Sequence, residues 1–299
     1  MAPRLLHPHY VIVLHNEAAM DGTAAAFLRS RPEVAIVLGT NEIASAVAIH
    51  LHRTGYAVVM SHDAAPPVIR RRMAFHDALW GDPAPVEGLE AVPVERVSEL
   101  FAIFTHGGRL AITRMGLVEL MVIAPFALLI DARMDKYAVK PDLRHLADVT
   151  IGLGPGFAIG RNCDVAVETH PRLTGQVVAE GETQAGDRVS RRLGNSGAER
   201  FVYAGLPGRW HTAHSIGSRV FRGMVLGHLE RTPVLAPLDG VLRGLARDGI
   251  EVPGGVKLLE IDPRNRWQAR FTGMDERGRA IAEATLAAAR AHRAPAPLH

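Results

Sequence analysis

Asp131, Arg133 and Lys136 stand directly after the apolar run 126–130, and two cations beside a carboxylate can clamp a phosphate or a pterin-type anion. Further along, Gly152, Gly154 and Gly156 alternate with Leu153 and Pro155. Glycine at alternate positions leaves backbone N–H groups uncovered, which is how an anion-binding nest is made, and Pro155 fixes the turn. A third candidate is Gly39-Thr40-Asn41-Glu42, between a short apolar run and a helical pattern. A dinucleotide loop needs glycine at its second position so that the backbone can approach the diphosphate at a helix N-terminus. This loop keeps Gly39, has Asn41 at the second position and Ala44 at the third, with Asp63 as the acidic residue after the next strand. The side chain of Asn41 fills the space a phosphate needs. Two readings therefore stand side by side, a nucleotide site and a Rossmann scaffold that has lost one.

Other chemistries have less support. Residues 163–168 read as a strand with Asp164, Ala166 and Glu168 on one face and Cys163, Val165 and Val167 on the other. That makes Cys163 a packed thiol, with Arg161 the one cation near enough to activate it. The fifteen histidines are scattered. His50 with His52, and His211 with His214, are not an i,i+4 metal pair, and no metal-ligand set is completed. There is no Gly-x-Ser-x-Gly elbow, no Gly-x-x-x-x-Gly-Lys-Ser/Thr loop and no clear proton-transfer pair.

The elements that would position these groups fall into two kinds. Residues 34–38 form a β-branched run ending at Gly39, and 42–53 have helical spacing closed by Gly55. Residues 56–60 complete a βαβ unit. Strands are expected at 110–113, 126–130 and 149–151, with helices over 97–104 and 114–123, which predicts an open parallel sheet covered on both faces. The first thirty residues leave two readings open, a strand at 10–14 followed by a helix at 20–28, or an upstream extension of the reading frame. In the second half, helical periodicity fades. Laying 202–229 over 234–261 at an offset of 32 matches Val202 with Val234, Gly208 with Gly240 and Gly217 with Gly249. Val220 then falls on Val252, Gly223 on Gly255 and Leu226 on Leu258. Such a repeat predicts a two-fold pseudosymmetric β-unit. It is similar to the lipoyl/biotinyl carrier domain, but the joining segment offers Arg231 in place of the lysine that carries the prosthetic group.

Composition sets the bounds. At 299 residues, 47% apolar and 22% charged, the chain has room for two domains with real cores. The net charge of +3 is spread along the chain, and Arg70-Arg71-Arg72 is too short a cluster to mark a nucleic-acid surface. One cysteine rules out an internal disulfide and fits a reducing cytoplasm. The start of the chain lacks a signal-peptide pattern, and the apolar stretch 117–130 is too short, with Glu119 and Pro125 inside it, to span a bilayer. The expectation is a soluble, cytoplasmic protein without membrane or nucleic-acid partners.

Several stretches together resemble the accessory proteins of selenium-dependent and related molybdenum hydroxylases, relatives of the xanthine dehydrogenase accessory factors. They are Leu38-Gly39 with 42–48, Pro67 to Arg71, Ile130 to Met134 with Lys136, 151–157 followed by 164–169, Leu242 to Leu245, and Ile261 to Arg264. The chain departs from that pattern at Asn41 and Ala46, where glycine is usual, and at His170-Pro171-Arg172, where an Arg-Gly-His run is usual. The resemblance implies an α/β Rossmann-like N-terminal half (34–175), after an extension (1–33), followed by an all-β pseudosymmetric lipoyl-like barrel-sandwich domain (176–275) and a C-terminal helix and tail (276–299). It implies help with maturation of a molybdenum hydroxylase client. The glycine nest beside the cationic strand end is then the expected place for molybdenum cofactor (molybdopterin) or the client itself, with Gly39, Asn41, Glu42, Asp131, Arg133, Lys136, Gly152, Gly154 and Gly156 as the candidate binding residues. An NAD(P)-dependent oxidoreductase and a non-catalytic adaptor remain as alternatives, and a homodimer stays open.

Overall fold

Val34–Leu38 (β1) is buried along its whole length, as a strand covered on both faces must be. Glu42–Arg53 (α1) follows, started by Asn41, whose side-chain oxygen accepts from the N–H groups of Ile43 (2.9 Å) and Ala44 (3.1 Å). Ala57–Ser61 (β2) returns beside β1 in parallel register, Ile36 opposite Val59. The computed structural model describes residues 33–106, 110–123, 125–136, 138–187 and 189–293; the strand and helix expected within 10–28 lie outside them.

The sheet is completed by Ala91–Val94 (β3), Leu110–Thr113 (β4), Leu128–Asp131 (β5), Val149–Leu153 (β6) and Val165–Val167 (β7). All seven strands are parallel, in the order β3-β4-β2-β1-β5-β6-β7. Chain direction across the sheet reverses between β1 and β5, so a crevice opens at their carboxyl ends. The helices Val97–His106 (α2) and Leu117–Leu120 (α3) cover one face with Leu100, Leu120 and Phe126. On the other face lie α1 and the final helix Glu276–Arg293 (α4), whose Gly278 lets the two helices approach at Ala46.

Eight short strands make the remaining unit: Phe201–Tyr203 (β8), Gly208–His211 (β9), Arg219–Val220 (β10), Val225–Leu229 (β11), Thr232–Leu235 (β12), Gly240–Leu245 (β13), Glu251–Val252 (β14) and Lys257–Asp262 (β15). They form two four-stranded antiparallel sheets, β10-β13-β15-β8 and β12-β11-β9-β14. Shifting by 32 residues carries β9 onto β13, β10 onto β14 and β11 onto β15, so it exchanges the two sheets. Gly217 and Gly249 share left-handed backbone, as do Gly223 and Gly255, which is why glycine recurs there. Trp210, fully buried, centres the core of this unit and donates its indole N–H to Ala246 O.

The expected Rossmann-like half followed by a lipoyl-like barrel-sandwich is corrected here. The first body does not close within 34–175, because the connections β5–β6 and β6–β7 contain no helix. The cover over β6 and β7 comes instead from α4, at the far end of the chain. Residues 176–187 also stay with the parallel sheet, Val178 N donating to Ala166 O and Thr183 N to Phe157 O. The all-β unit is two separate antiparallel sheets, and it docks through the segment after β2. There Leu245 N donates to Ile69 O (2.7 Å), and Arg71 Nε to Leu245 O (2.9 Å).

A buried charge cluster locks this junction. Glu260 on β15 has no exposed side-chain surface and accepts from Arg70 (2.7 Å) and Arg200 (3.0 Å), with Arg243 at 3.6 Å. Arg70 also reaches Glu42, the first residue of α1, at 2.8 Å. Burial alone would raise the Glu260 carboxyl, but the three guanidinium groups outweigh it and hold it down at about 2. Removing one partner of such a cluster leaves buried charge without an opposite. Glu260→Gln is therefore expected to lower unfolding free energy by about 3–5 kcal/mol, read by urea denaturation; a loss under about 1 kcal/mol would show that the cluster is not what joins the two units.

Candidate functional site

The crevice at the ends of β1, β2 and β5 holds a cavity of about 250 Å³, lined by Leu38, Ser61, His62, Asp63, Leu117, Arg133 and Leu143 among others. Each polar wall group is the first or second residue past a strand or its last member, so the sheet fixes it. Ser61 is turned away, its hydroxyl donating to Met115 O (2.7 Å). Asp131 is buried and grips Arg133 through Nε (3.1 Å) and Nη2 (2.5 Å), while Arg133 Nη1 lies 3.6 Å from Asp63. Arg133 is thus held between two carboxylates, and Asp131 raises its affinity for the proton further.

Below the cavity floor runs a hydrogen-bond chain. Thr40 Oγ1 lies 2.8 Å from His76 Nδ1 and 3.3 Å from His62 Nδ1. A hydroxyl donates only one proton, so one of the two rings must donate its own N–H to it. Trp80 packs against both imidazoles, 4.8 Å from His76 and 5.9 Å from His62 between ring centroids. The guanidinium groups of Arg114 and Arg247 stand 4.8 and 4.7 Å from the Trp80 ring. Burial, then the neighbouring His62 and the arginines, push His76 down to about 3. Burial and Arg114 lower His62 as well, so both rings are neutral near pH 7.

The residues picked out from the sequence separate into three groups. Gly39, with φ +108°, crosses so close to the β5 exit that a Cβ there would lie 2.8 Å from Ala132 O. Asn41 caps α1 and donates to Ala132 O (2.7 Å), so it occupies the helix N–H groups that a diphosphate would need. The residues of this loop do not fit a dinucleotide. Asp131 and Arg133 line or support the cavity, whereas Glu42 points to the junction with the all-β unit through Arg70. Lys136 is exposed and packs on Gly186.

Gly152, Gly154 and Gly156 serve packing. A Cβ on Gly152 would fall 2.0 Å from the Phe157 ring, and one on Gly154 2.8 Å from Thr169 Oγ1. Gly154 N donates to Val167 O and Phe157 N to Thr183 Oγ1, so these N–H groups are engaged inside the loop. Gly156 stands against Lys140, whose ammonium donates to Asp135 O. Cys163 is buried, and burial pushes its thiol up to about 11, which keeps it from acting as a thiolate. Sequence reasoning missed Thr40, His62 and His76. Thr40 and His62 each sit just past a strand's carboxyl end, which was a usable signal; His76 lies in a short 3-10 turn and gave none.

No protein-family model matches the chain. It is 31% identical over 264 residues to a protein of Escherichia coli (strain K12) described as "Uncharacterized protein YqeB", an overlap of 86% of this chain and 47% of that one. The chain spans about half the length of this curated relative. Among solved structures it is similar to a succinylglutamate desuccinylase/aspartoacylase from Rhodobacter sphaeroides (20% identity, TM-score 0.20, 28% of this chain and 30% of that one). It is also similar to an aspartoacylase family protein from Mesorhizobium loti (12%, TM-score 0.25, 78% and 86%) and to the ectoine utilization protein EutE (DoeB) from Ruegeria pomeroyi (13%, TM-score 0.22, 77% and 85%). Overlap at these TM-scores transfers no activity to this chain. The expected role and fold are corrected with this: the relatives named above are an uncharacterized protein and aspartoacylase-type structures, with no molybdenum hydroxylase accessory factor among them. Maturation of a molybdenum hydroxylase is set aside with them, as are the oxidoreductase and the inert adaptor. Among the described residues no group of three or more His, Cys, Asp or Glu could hold a metal ion, and no helix is long and apolar enough to cross a membrane.

The neutral buried histidine has a consequence for stability. Unfolded, His76 takes up a proton near pH 6.5; folded, it refuses one down to about 3. The unfolded state therefore binds more protons in that window, and the folded state loses stability as pH falls through it. Between pH 6.5 and 5.0 the loss should be about 2 kcal/mol for one withheld proton. Urea titrations at the two pH values should show this loss in the native protein and a flatter dependence in His76→Gln; equal slopes would mean that His76 is protonated when folded.

Proposed function

We propose that the chain binds a small, uncharged, hydroxyl-bearing ligand in the strand-end cavity and that His62 acts on it as a general base. The observation that carries this reading is the chain His76–Thr40–His62. In this reading the shorter distance, 2.8 against 3.3 Å, assigns the Thr40 proton to His76 Nδ1, and Thr40 accepts the Nδ1–H of His62. That tautomer leaves Nε2 of His62 unprotonated, with the ring on the cavity wall. A neutral imidazole is the form that can take a proton at pH 7, and its lowered affinity makes the proton easy to pass on.

The ligand class follows from the other walls. Arg133 has its donors turned to Asp131 and Asp63, so an anion would have to displace a carboxylate to reach it. Asp63 keeps acceptor capacity beyond its bond from Ala65 N, which suits a hydroxyl donor. Leu38, Leu117 and Leu143 supply an apolar wall, and a cavity of about 250 Å³ admits a small molecule only.

Imidazole nitrogen NMR together with a melting-temperature screen of sugars, polyols and hydroxy amides tests this. His62 should show a neutral ring with Nδ1 protonated, and stabilising compounds should move its Nε2 resonance. Their affinity should fall at least about tenfold, near 1.4 kcal/mol, in His62→Phe. Compounds that bind His62→Phe as well as the native protein, or a His62 ring protonated on Nε2, would sink the proposal.

A further inference from the structure

A second cavity, with Arg70 in its wall, lies between the start of α4, β13, the residues after β15 and the segment before β8. It has a volume of about 310 Å³, and eight arginines line it. Five carboxylates pair with them: Glu42 and Glu260 with Arg70, Asp262 with Arg264, Asp275 with Arg243, and Glu276 with Arg191. Eight cations thus face five carboxylates. Arg277 donates to a backbone carbonyl, Thr169 O (3.0 Å), and not to a carboxylate. Arg270 and Arg279 form no ion pair among the described residues and are exposed at the rim.

One group deeper in the wall marks the cavity as unfinished. Arg243 is nearly fully buried, 3% exposed, and its Nε has no hydrogen-bond acceptor; the nearest carboxylate oxygen, on Glu260, is 3.6 Å away. A buried guanidinium N–H without an acceptor is costly, and structures rarely keep one unless a bound group completes it. The first turn of the eighteen-residue helix α4 adds its positive end on the same side, where Asp275 accepts the N–H of Gly278 through one oxygen and Arg243 Nη2 through the other.

We infer that this arginine-lined cavity binds a small phosphate-bearing anion with more than one negative charge, of the diphosphate class. A single carboxylate would leave the cationic surplus uncompensated. Guanidinium forks bind phosphate oxygens in pairs, and each phosphate group brings up to two charges. The cavity size suits such an ion or a small molecule carrying it. The site is separate from the His62 cavity: the two share no lining residue.

Isothermal titration of the full chain with sodium pyrophosphate, orthophosphate and citrate, at low and moderate salt, tests this. Pyrophosphate should bind with a Kd in the micromolar range, more tightly than orthophosphate or citrate, and weaken as salt rises. Arg277→Gln should weaken it at least tenfold. Should that variant fold poorly, the rim variant Arg270→Ser/Arg279→Ser, which breaks no ion pair, should weaken it at least threefold, while Arg161→Gln on the far surface leaves it unchanged. Absence of heat with pyrophosphate, or affinity unaltered in the rim variant and in Arg277→Gln, would overturn the inference. Citrate binding as tight as pyrophosphate would overturn the phosphate assignment.

Discussion

The carboxylate of Glu260 is the group on which the arrangement of this protein depends. It sits without exposure among the guanidinium groups of Arg70, Arg200 and Arg243, which come from three separate stretches of chain. Arg70 then extends the contact to Glu42 at the start of α1. A buried ion cluster adds little net stability compared with an apolar contact, because desolvation offsets most of its attraction. What it does is penalise every other placement of the two units, since any displacement strands a charge in a dry environment. The parallel sheet and the all-β unit are thus fixed relative to each other at the level of single hydrogen bonds.

The segment between β2 and β3 turns that constraint into a site. It carries no α-helix, yet Ile69, Arg70 and Arg71 engage the all-β unit, and a few residues later His76 and Trp80 fold back over the strand ends. Docking and proton-handling groups therefore lie on one continuous stretch. Arg247, from the loop after β13, pairs with Asp77 and Asp82 and packs on Trp80, so the all-β unit also helps to set the environment of the two imidazoles. A change at the junction should be felt at His62 through packed and hydrogen-bonded neighbours, without any moving part being required.

How much of this was legible in the sequence differs by kind of signal. β1, α1 and the strands near 110–113 and 149–151 were readable because local apolar runs and caps decide them. The 32-residue shift was readable because each half repeats its turn glycines. The origin of the cover over β6 and β7 was not, because nothing in 132–164 says that the missing helix lies at 276–293. The glycines of 152–156 look the same in sequence whether they bare N–H groups or admit Phe157 and Thr169, and only long-range packing distinguishes the two. The same holds for Thr40, His62 and His76, brought together across separations of 22 and 36 residues. Asn41 stands where a dinucleotide loop has glycine, and its role, a cap that also bonds to Ala132 O, depends on β5 arriving beside β1.

The two cavities also differ in electrostatic character, and the residues between them explain why. On the His62 side, each nearby cation is either tied to a carboxylate, as Arg133 is to Asp131, or laid against the Trp80 ring, as Arg114 is. Arg114 depresses both imidazoles by its charge, and Arg71 and Arg247 depress His76 as well. On the Arg70 side, the acids are outnumbered, and Lys257 is pushed down to about 8 by burial and by the field of Arg70 and Lys136. The pair Glu42–Arg70 ties the N-terminus of α1 to the wall of the arginine-lined cavity. The same buried cluster that joins the two units therefore supplies Arg70, Arg200 and Arg243 to the wall of one cavity and no residue to the other.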